Sequence, residues 1–287
     1  MTKRKRFKLQ LGSRVLALGK RTLIMGVLNV TPDSFSDGGE FFDAKRAVKH
    51  ALAMERDGAD IVDIGAESTR PGSAGISAAE ELRRLLPVLK MLRGKLKIPI
   101  SVDTQKSAVA AIAIGAGAAM INDVSGLRSD PRLAEVAAQY RVPLILMHMR
   151  GNPRTMQKMQ FAKDAMKDVV NGLKKSVAVA HQAGMTKSQI ILDPGIGFGK
   201  SFEQNYELLA RLPELAKLGY PLMVGTSRKG FLGATLTKNG KPVPADQRIW
   251  GTAATVTASI LGGAHIVRVH DVAEMAQLAR VADCLVR

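Results

Sequence analysis

Eight short apolar runs, set roughly twenty to forty residues apart, constrain this chain more than any other feature. They occupy residues 23–29, 59–65, 99–104, 118–123, 142–149, 189–193, 221–227 and 265–270. All are rich in Ile, Val, Leu and Met with little strict alternation, as expected of strands covered on both faces of a parallel sheet. Helical stretches separate them at 44–56, 78–92, 105–114, 131–140, 162–183, 203–218, 252–261 and 272–285. Eight strands each followed by a helix specify an α/β fold, a closed (β/α)8 TIM barrel in a single domain.

Barrels of this kind carry their chemistry on the loops at the carboxyl ends of the strands. Here those ends are polar throughout: Asn29, Asp63 with Glu67 beyond it, Asp103, Asn122 with Asp123, His148, Asp193, Ser227 with Arg228, and Arg268 with His270. Asp and Asn also cap helices and form turns at such places, so any single one has a bland alternative. The complete set points to one functional face.

The chain of 287 residues is long enough for one barrel, for which about 250 is typical. No apolar stretch approaches the roughly 20 residues of a membrane span, and no signal peptide is evident, so a cytoplasmic enzyme without membrane association is expected. Cys284 has no partner for an intrachain disulfide and is expected to be a small core residue. Of the net charge of +17, +8 lies in residues 1–22, which contain no acid. That segment reads as a basic N-terminal extension ahead of a barrel spanning 23–287. A basic arm can bind nucleic acid through phosphates, but this one has a single aromatic, Phe7, and offers no stacking platform. Nucleic acid is therefore not expected as the partner. The remaining positive balance suits an anionic substrate.

The first strand is followed by Thr31-Pro-Asp-Ser-Phe-Ser-Asp-Gly-Gly39, a hydroxyl-rich loop able to fold over a ligand. Asp33, Ser34, Ser36 and Asp37 have oxygens for a metal or phosphate, and Phe35 could cover an aromatic ring. Glu67-Ser-Thr-Arg-Pro-Gly72 follows the second strand, where Arg70 beside Pro71 offers a guanidinium for an oxyanion. Asp103, Asn122 and Asp193 would enter one cavity from different sides and together could read the edge of a flat heterocycle. Metal ligation is the rival reading of these three, without a supporting His pattern. Asp193-Pro-Gly-Ile-Gly-Phe-Gly-Lys-Ser201 resembles a phosphate loop, but Pro194 stands where its first glycine belongs. Its glycines are expected to let backbone approach a ligand, with Phe198 as a wall. Arg268 and His270 alternate along the last strand, so they share a face where barrels often bind phosphate.

These blocks, together with Met25-Gly-Val-Leu-Asn29, Ile121-Asn-Asp-Val124, Met147-His-Met-Arg-Gly151, Pro153-Arg-Thr-Met-Gln157 and Ser227-Arg-Lys229, resemble the dihydropteroate synthase family over about residues 23–287. The resemblance implies condensation of 6-hydroxymethyl-7,8-dihydropterin diphosphate with 4-aminobenzoate, giving 7,8-dihydropteroate and diphosphate in folate synthesis. It implies that Asp103, Asn122, Asp193, Phe198, Lys229 and Arg268 bind the pterin. Phe35, Thr69, Pro71, Ser227, Lys229 and Gly230 would form the aminobenzoate pocket, and Asn29, Arg70, Arg268 and His270 would engage the diphosphate. A Mg2+ cofactor would sit near Asn29. Asp37, Arg70, Asp103 and Lys229 are the implied catalytic residues, and a homodimer is the implied assembly. Departure of diphosphate before amine attack, without a protein nucleophile, is the expected mechanism.

The chain departs from this pattern at Gly230, where many relatives carry a serine that contacts the aminobenzoate carboxylate. Altered sensitivity to sulfonamides, which the family binds as aminobenzoate mimics, is therefore an expectation. A pterin-dependent methyltransferase is the alternative function, though it would not be expected to keep the Thr31–Gly39 loop or the Arg268 and His270 pair.

Overall fold

The computed structural model describes residues 4–11, 14–31, 39–69, 72–156 and 161–286, with backbone alone at 14 and 39–43. A hairpin of β1 (Phe7–Leu11) and β2 (Arg14–Leu18) precedes eight parallel strands: β3 (Leu23–Asn29), β4 (Ile61–Gly65), β5 (Ile100–Asp103), β6 (Met120–Asp123), β7 (Leu144–Met147), β8 (Ile190–Asp193), β9 (Met223–Val224) and β10 (Ile266–Val269). They pair in the order β8-β7-β6-β5-β4-β3-β10-β9. A bridge between Leu192 and Leu222, with Leu192 N donating to Pro221 O at 2.9 Å, brings the two ends together. The expected barrel is therefore present, in strands that, β3 apart, are shorter than the apolar runs that announce them.

The helices are α1 (Gly39–Arg56), α2 (Ala78–Leu92), α3 (Ser107–Gly115), α4 (Arg132–Tyr140), α5 (Ala165–Gln182), α6 (Phe202–Ala210), α7 (Leu212–Ala216), α8 (Gly230–Thr235), α9 (Ile249–Leu261) and α10 (Val272–Leu285). Their starts follow local chemistry. Asp164 and Ser201 each accept a backbone N–H from three residues on, at 2.9 and 3.2 Å, which fixes where α5 and α6 begin. The single helix expected over 203–218 is two. Pro213 lacks an N–H and is best tolerated in a first turn, and the chain restarts at Leu212 with the proline there. No described helix is long and apolar enough to cross a membrane.

The weak alternation of the strands conceals two cores, separated by side-chain parity. Ile24, Leu28, Val62, Ile64, Val102, Ile121, Leu146, Leu192 and Val267 face outward and pack under the helices. Met25, Ile61, Met120, Ile145, Ile191, Met223 and Ile266 face inward as one apolar layer at the amino ends of the strands. Both faces are apolar there, so the period of two is invisible in composition.

Residues 7–18 gain a role that the basic extension did not suggest. The hairpin places Leu9, Leu11 and Leu18 in the inner layer, closing the barrel floor while Lys8 points to solvent. Burying each leucine contributes about 1.5–3 kcal/mol. Arg4 is buried too: it donates to Asp283 Oδ1 at 3.1 Å, and the same carboxylate receives Thr22 N and Oγ1 at 2.7 and 2.8 Å. Basic residues here therefore partly serve the fold rather than a polyanion. Cys284, expected in the core, is instead exposed, because α10 buries Val272, Met275, Ala279, Ala282 and Asp283 and position 284 falls off that stripe.

Candidate active site

Above the apolar inner layer, the same inward parity delivers polar side chains. Asp63 follows Ile61 on β4, Asp103 follows Ser101 on β5, Asn122 follows Met120 on β6, Asp193 follows Ile191 on β8, and Arg268 follows Ile266 on β10. Strand register sets Asp63 beside Ser101 and Asp103 beside Asn122.

Arg268 organises this layer. Its Nε donates to Asp63 Oδ2 at 2.6 Å and its terminal nitrogen to Asp103 Oδ2 at 3.0 Å. Asn122 Nδ2 also donates to Asp63 Oδ2, at 2.9 Å. Asp63 Oδ1, Asn122 Oδ1 and Ser101 Oγ are buried without a hydrogen-bond partner. Buried oxygens of this kind are costly unless a polar ligand satisfies them. Burial raises the Asp103 pKa to about 7 against the opposing pull of Arg268, with Asp63 adding to the rise. Asp193 accepts Gly195 N at 2.7 Å, and burial lifts it to about 6.

Lys229, just before α8, holds Nζ 3.8 Å from the centroid of the Phe198 ring. Burial and the nearby Arg268 lower its pKa to about 8. Phe198 thus seats the lysine. The glycines around it have a structural reason of their own. Gly195, Gly197 and Gly199 have φ of +66°, +83° and +65°, and a Cβ at Gly195 or Gly199 would strike the carbonyl oxygens of His148 and Arg150. A Cβ at Gly197 would meet Lys229 Cδ at 3.0 Å, while Gly195 and Gly199 let this loop lie against the segment after β7. Lys200 pins it there, donating to Gly195 O at 2.9 Å, Phe198 O at 3.0 Å and His148 O at 3.1 Å. The lysine that suggested a phosphate loop is therefore turned onto its own backbone.

Not every polar strand end joins the cluster. Asp123 has outward parity and accepts Ser125 N and Leu127 N at 2.8 and 2.6 Å, so the capping reading holds there. His148 is kept neutral by burial and by Lys200, with its pKa pushed down to about 2. Glu67 is tied by Lys106, which also donates to Glu81 Oε2 at 2.6 Å. That tie fixes the base of the segment carrying Thr69. His270 contacts Ser227 Oγ through both its backbone N (3.1 Å) and Nδ1 (3.0 Å), and burial lowers its pKa to about 3. Ser227 is itself buried, so in this geometry it positions His270. Asn29, at the end of β3, and His270 line a common groove with Arg228. Gly230 is exposed, and a Cβ there would meet nothing within 4 Å. Phe35, Asp37, Arg70 and Pro71 lie outside the described residues, as do Asp33, Ser34 and Ser36.

Asp63 is the residue that sequence reasoning undervalued. It was visible as a strand end with inward parity, but only its shared contacts with Arg268 and Asn122 mark it as central. Among the described residues no group of three or more His, Cys, Asp or Glu could hold a metal.

The model of the family described as pterin binding enzyme matches residues 25–270. The chain is similar to the dihydropteroate synthase of Synechocystis, with 50% identity over 97% of this chain and 95% of that one. It is similar in structure to dihydropteroate synthase from Clostridium difficile in the presence of pteroic acid, with TM-score 0.87 and 48% identity over 93% and 98% of the two chains. It is likewise similar to the Yersinia pestis dihydropteroate synthase in complex with a sulfonamide drug, with TM-score 0.89 and 41% identity over 97% and 99%.

Proposed function

The chain belongs to the pterin-binding enzyme family, as a transferase of the dihydropteroate synthase kind in folate synthesis, and on that premise we propose how its own residues carry out the reaction. The substrates are 6-hydroxymethyl-7,8-dihydropterin diphosphate and 4-aminobenzoate, and a C–N bond forms as diphosphate leaves. The observation that carries this reading is the polar layer organised by Arg268, in which buried oxygens of Asp63 and Asn122 stand without partners beside two carboxyl groups of raised pKa. A pterin edge offers the ring N–H and amino donors that Asn122 Oδ1 lacks and that Asp103 and Asp193 can accept.

In this reading Asp103, Asn122 and Asp193 bind the pterin edge, with Lys229, Phe198 and Arg268 around the ring. Ring donors favour the charged forms of Asp103 and Asp193, whose negative charge then stabilises the cation that develops as diphosphate departs. Arg268 and His270 receive the leaving group beside Asn29, and the 4-aminobenzoate amine attacks the exocyclic carbon, losing its proton. No protein nucleophile takes part. Thr69, Lys229 and Gly230 border the aminobenzoate, with Phe35 and Pro71; Asp37 and Arg70 close over the reactants.

Magnesium fits the donor chemistry at Asn29: Mg2+ takes few protein oxygens and otherwise substrate phosphates and water, so an amide oxygen suffices without a carboxylate cage. When bound there it would neutralise charge on the departing diphosphate. A homodimer is supported by large apolar side chains left exposed on α9 and α10, Trp250 at 80%, Val281 at 68% and Leu285 at 53%. Gly230 supports altered sulfonamide sensitivity, since the chain lacks the serine hydroxyl at that point.

The deciding experiment incubates purified protein with the pterin diphosphate, magnesium and 4-aminobenzoate and follows dihydropteroate and diphosphate together. Equimolar products are expected. Pterin binding without any dihydropteroate would favour the methyltransferase alternative instead.

A further inference from the structure

One face of α1 is basic in a way that neither helix stability nor the proposed reaction explains. Ala44, Ala47, Val48, Ala51 and Met54 pack on the barrel. Arg46, Lys49, His50 and Arg56 follow one another along a different, exposed face at spacings that bring side chains together. Like charges so spaced repel, and only Arg56 is near enough to the carboxyl end of the helix to gain from its dipole. With Arg228 and His270 entering from above, these residues line a groove of about 600 Å3 in which none of the described lining residues is acidic. From outside the groove Asp271 pairs with Arg228 at 2.5 Å, Asp246 and Glu274 act on the same guanidinium through space, and Asp57 acts likewise on His50. Glu55, on the same helix, instead accepts Lys97 N and Ile98 N at 2.8 and 3.0 Å, away from the groove.

We propose that this groove is a second anion-binding site, which takes inorganic diphosphate on its way between the substrate site and solvent. Its upper end is formed by Asn29 and His270, so the groove is continuous with the place assigned to the leaving diphosphate. Its length is set by α1, along which Lys49 and Arg56 offer successive cations to a small, highly charged ion. The identity of the anion rests on the synthase reading; the existence of the site rests on the groove alone.

The test uses Lys49→Glu/Arg56→Glu, two exposed positions outside the substrate site, with Lys49→Gln/Arg56→Gln as a milder control. Titration of the intact protein with sodium diphosphate by equilibrium dialysis at low ionic strength should find two ions per wild-type chain and one per charge-reversed chain. Inhibition of dihydropteroate formation by added diphosphate should weaken roughly tenfold in that variant, with the control between, and KM for 4-aminobenzoate unchanged. The difference should largely vanish at about 0.5 M salt, where charges are screened within a few ångströms. Equal stoichiometry and equal inhibition in wild type and reversed variant overturn the groove while leaving the synthase reading intact. A wild-type chain that forms no dihydropteroate, yet loses one bound diphosphate on charge reversal, overturns the reaction and keeps the groove.

Discussion

Arg268 Nε lies 2.6 Å from Asp63 Oδ2, and that one carboxylate oxygen also receives Asn122 Nδ2 at 2.9 Å. A fully buried aspartate that touches no expected substrate therefore sets the orientation of two residues that do. Because Asp63 is at 0% exposure while the Arg268 side chain is at 21%, the pair is anchored from the barrel side and open toward the mouth.

Replacing Asp63 should consequently damage catalysis without removing a substrate contact. For Asp63→Ala we expect kcat/KM for the pterin diphosphate to fall about a hundredfold, since misplacement by about an ångström has that effect. Removing one partner of a buried ion pair costs about 3–5 kcal/mol, and Asp103 still serving Arg268 should keep the loss near the lower end. Asp63→Asn should be milder on both counts. Steady-state kinetics with thermal melts decide this, and an unimpaired Asp63→Ala enzyme would contradict the anchoring role.

The Asp103 carboxyl makes stability depend on pH. Its folded pKa of about 7 lies above the ordinary 3.8, chiefly through burial. The folded chain therefore holds this proton more tightly than the unfolded chain, and the associated stability is present below about pH 4 and lost as pH rises to about 7. His148 and His270, with pKa values lowered to about 2 and 3, run in the opposite sense, losing stability as pH falls below about 6.5. The clean readout is a difference: the melting temperature of Asp103→Asn minus that of the wild type should increase from pH 4 to pH 7. A flat difference would refute the raised pKa.

Gly230 has open space around its missing Cβ and an ordinary negative φ. Gly230→Ser should fold with stability within about 0.5 kcal/mol of the wild type. Its hydroxyl should tighten binding of 4-aminobenzoate and of sulfonamides severalfold, about the worth of one net hydrogen bond of roughly 1 kcal/mol. Calorimetric titration with a sulfonamide would show it; weaker binding in the serine variant would count against the pocket assigned here.

Leu9 is 1% exposed in the layer that floors the barrel. Leu9→Ala should destabilise by about 2–4 kcal/mol, lowering the melting point by several degrees, with KM values unchanged at 25 °C because the site is at the opposite end. Deleting residues 1–22 should act the same way but more strongly. An N-terminal deletion that melts like the wild type would remove the structural role of the hairpin.

Much of the site was legible because two simple periodicities combine. The apolar runs located the strands, and the polar residue ending each run located the mouth. Parity then separates neighbours that composition treats alike: Asn122 points inward to Asp63, while Asp123, one residue on, points outward and caps its own loop. Gly195 and Gly199 carried a real signal, positive φ and close approach, and in the folded chain the partner they approach is the backbone at His148 and Arg150. Spacing in sequence cannot distinguish a ligand from a neighbouring loop.

The amino-acid sequence by itself determined the eight-fold alternation, the carboxyl-end location of the chemistry and the family, since these depend on local apolar periodicity and on blocks of neighbouring residues. The tertiary structure decided which polar groups share a partner. Asp63, Asp103, Asn122 and Arg268 are separated by up to 205 positions along the chain, between Asp63 and Arg268. Only barrel closure brings them into one poorly solvated layer, where burial raises carboxyl pKa values and makes each missing hydrogen bond costly. The same closure turned a basic N-terminal segment into the floor of the barrel, because alternate leucines between its charges found an apolar layer to cover.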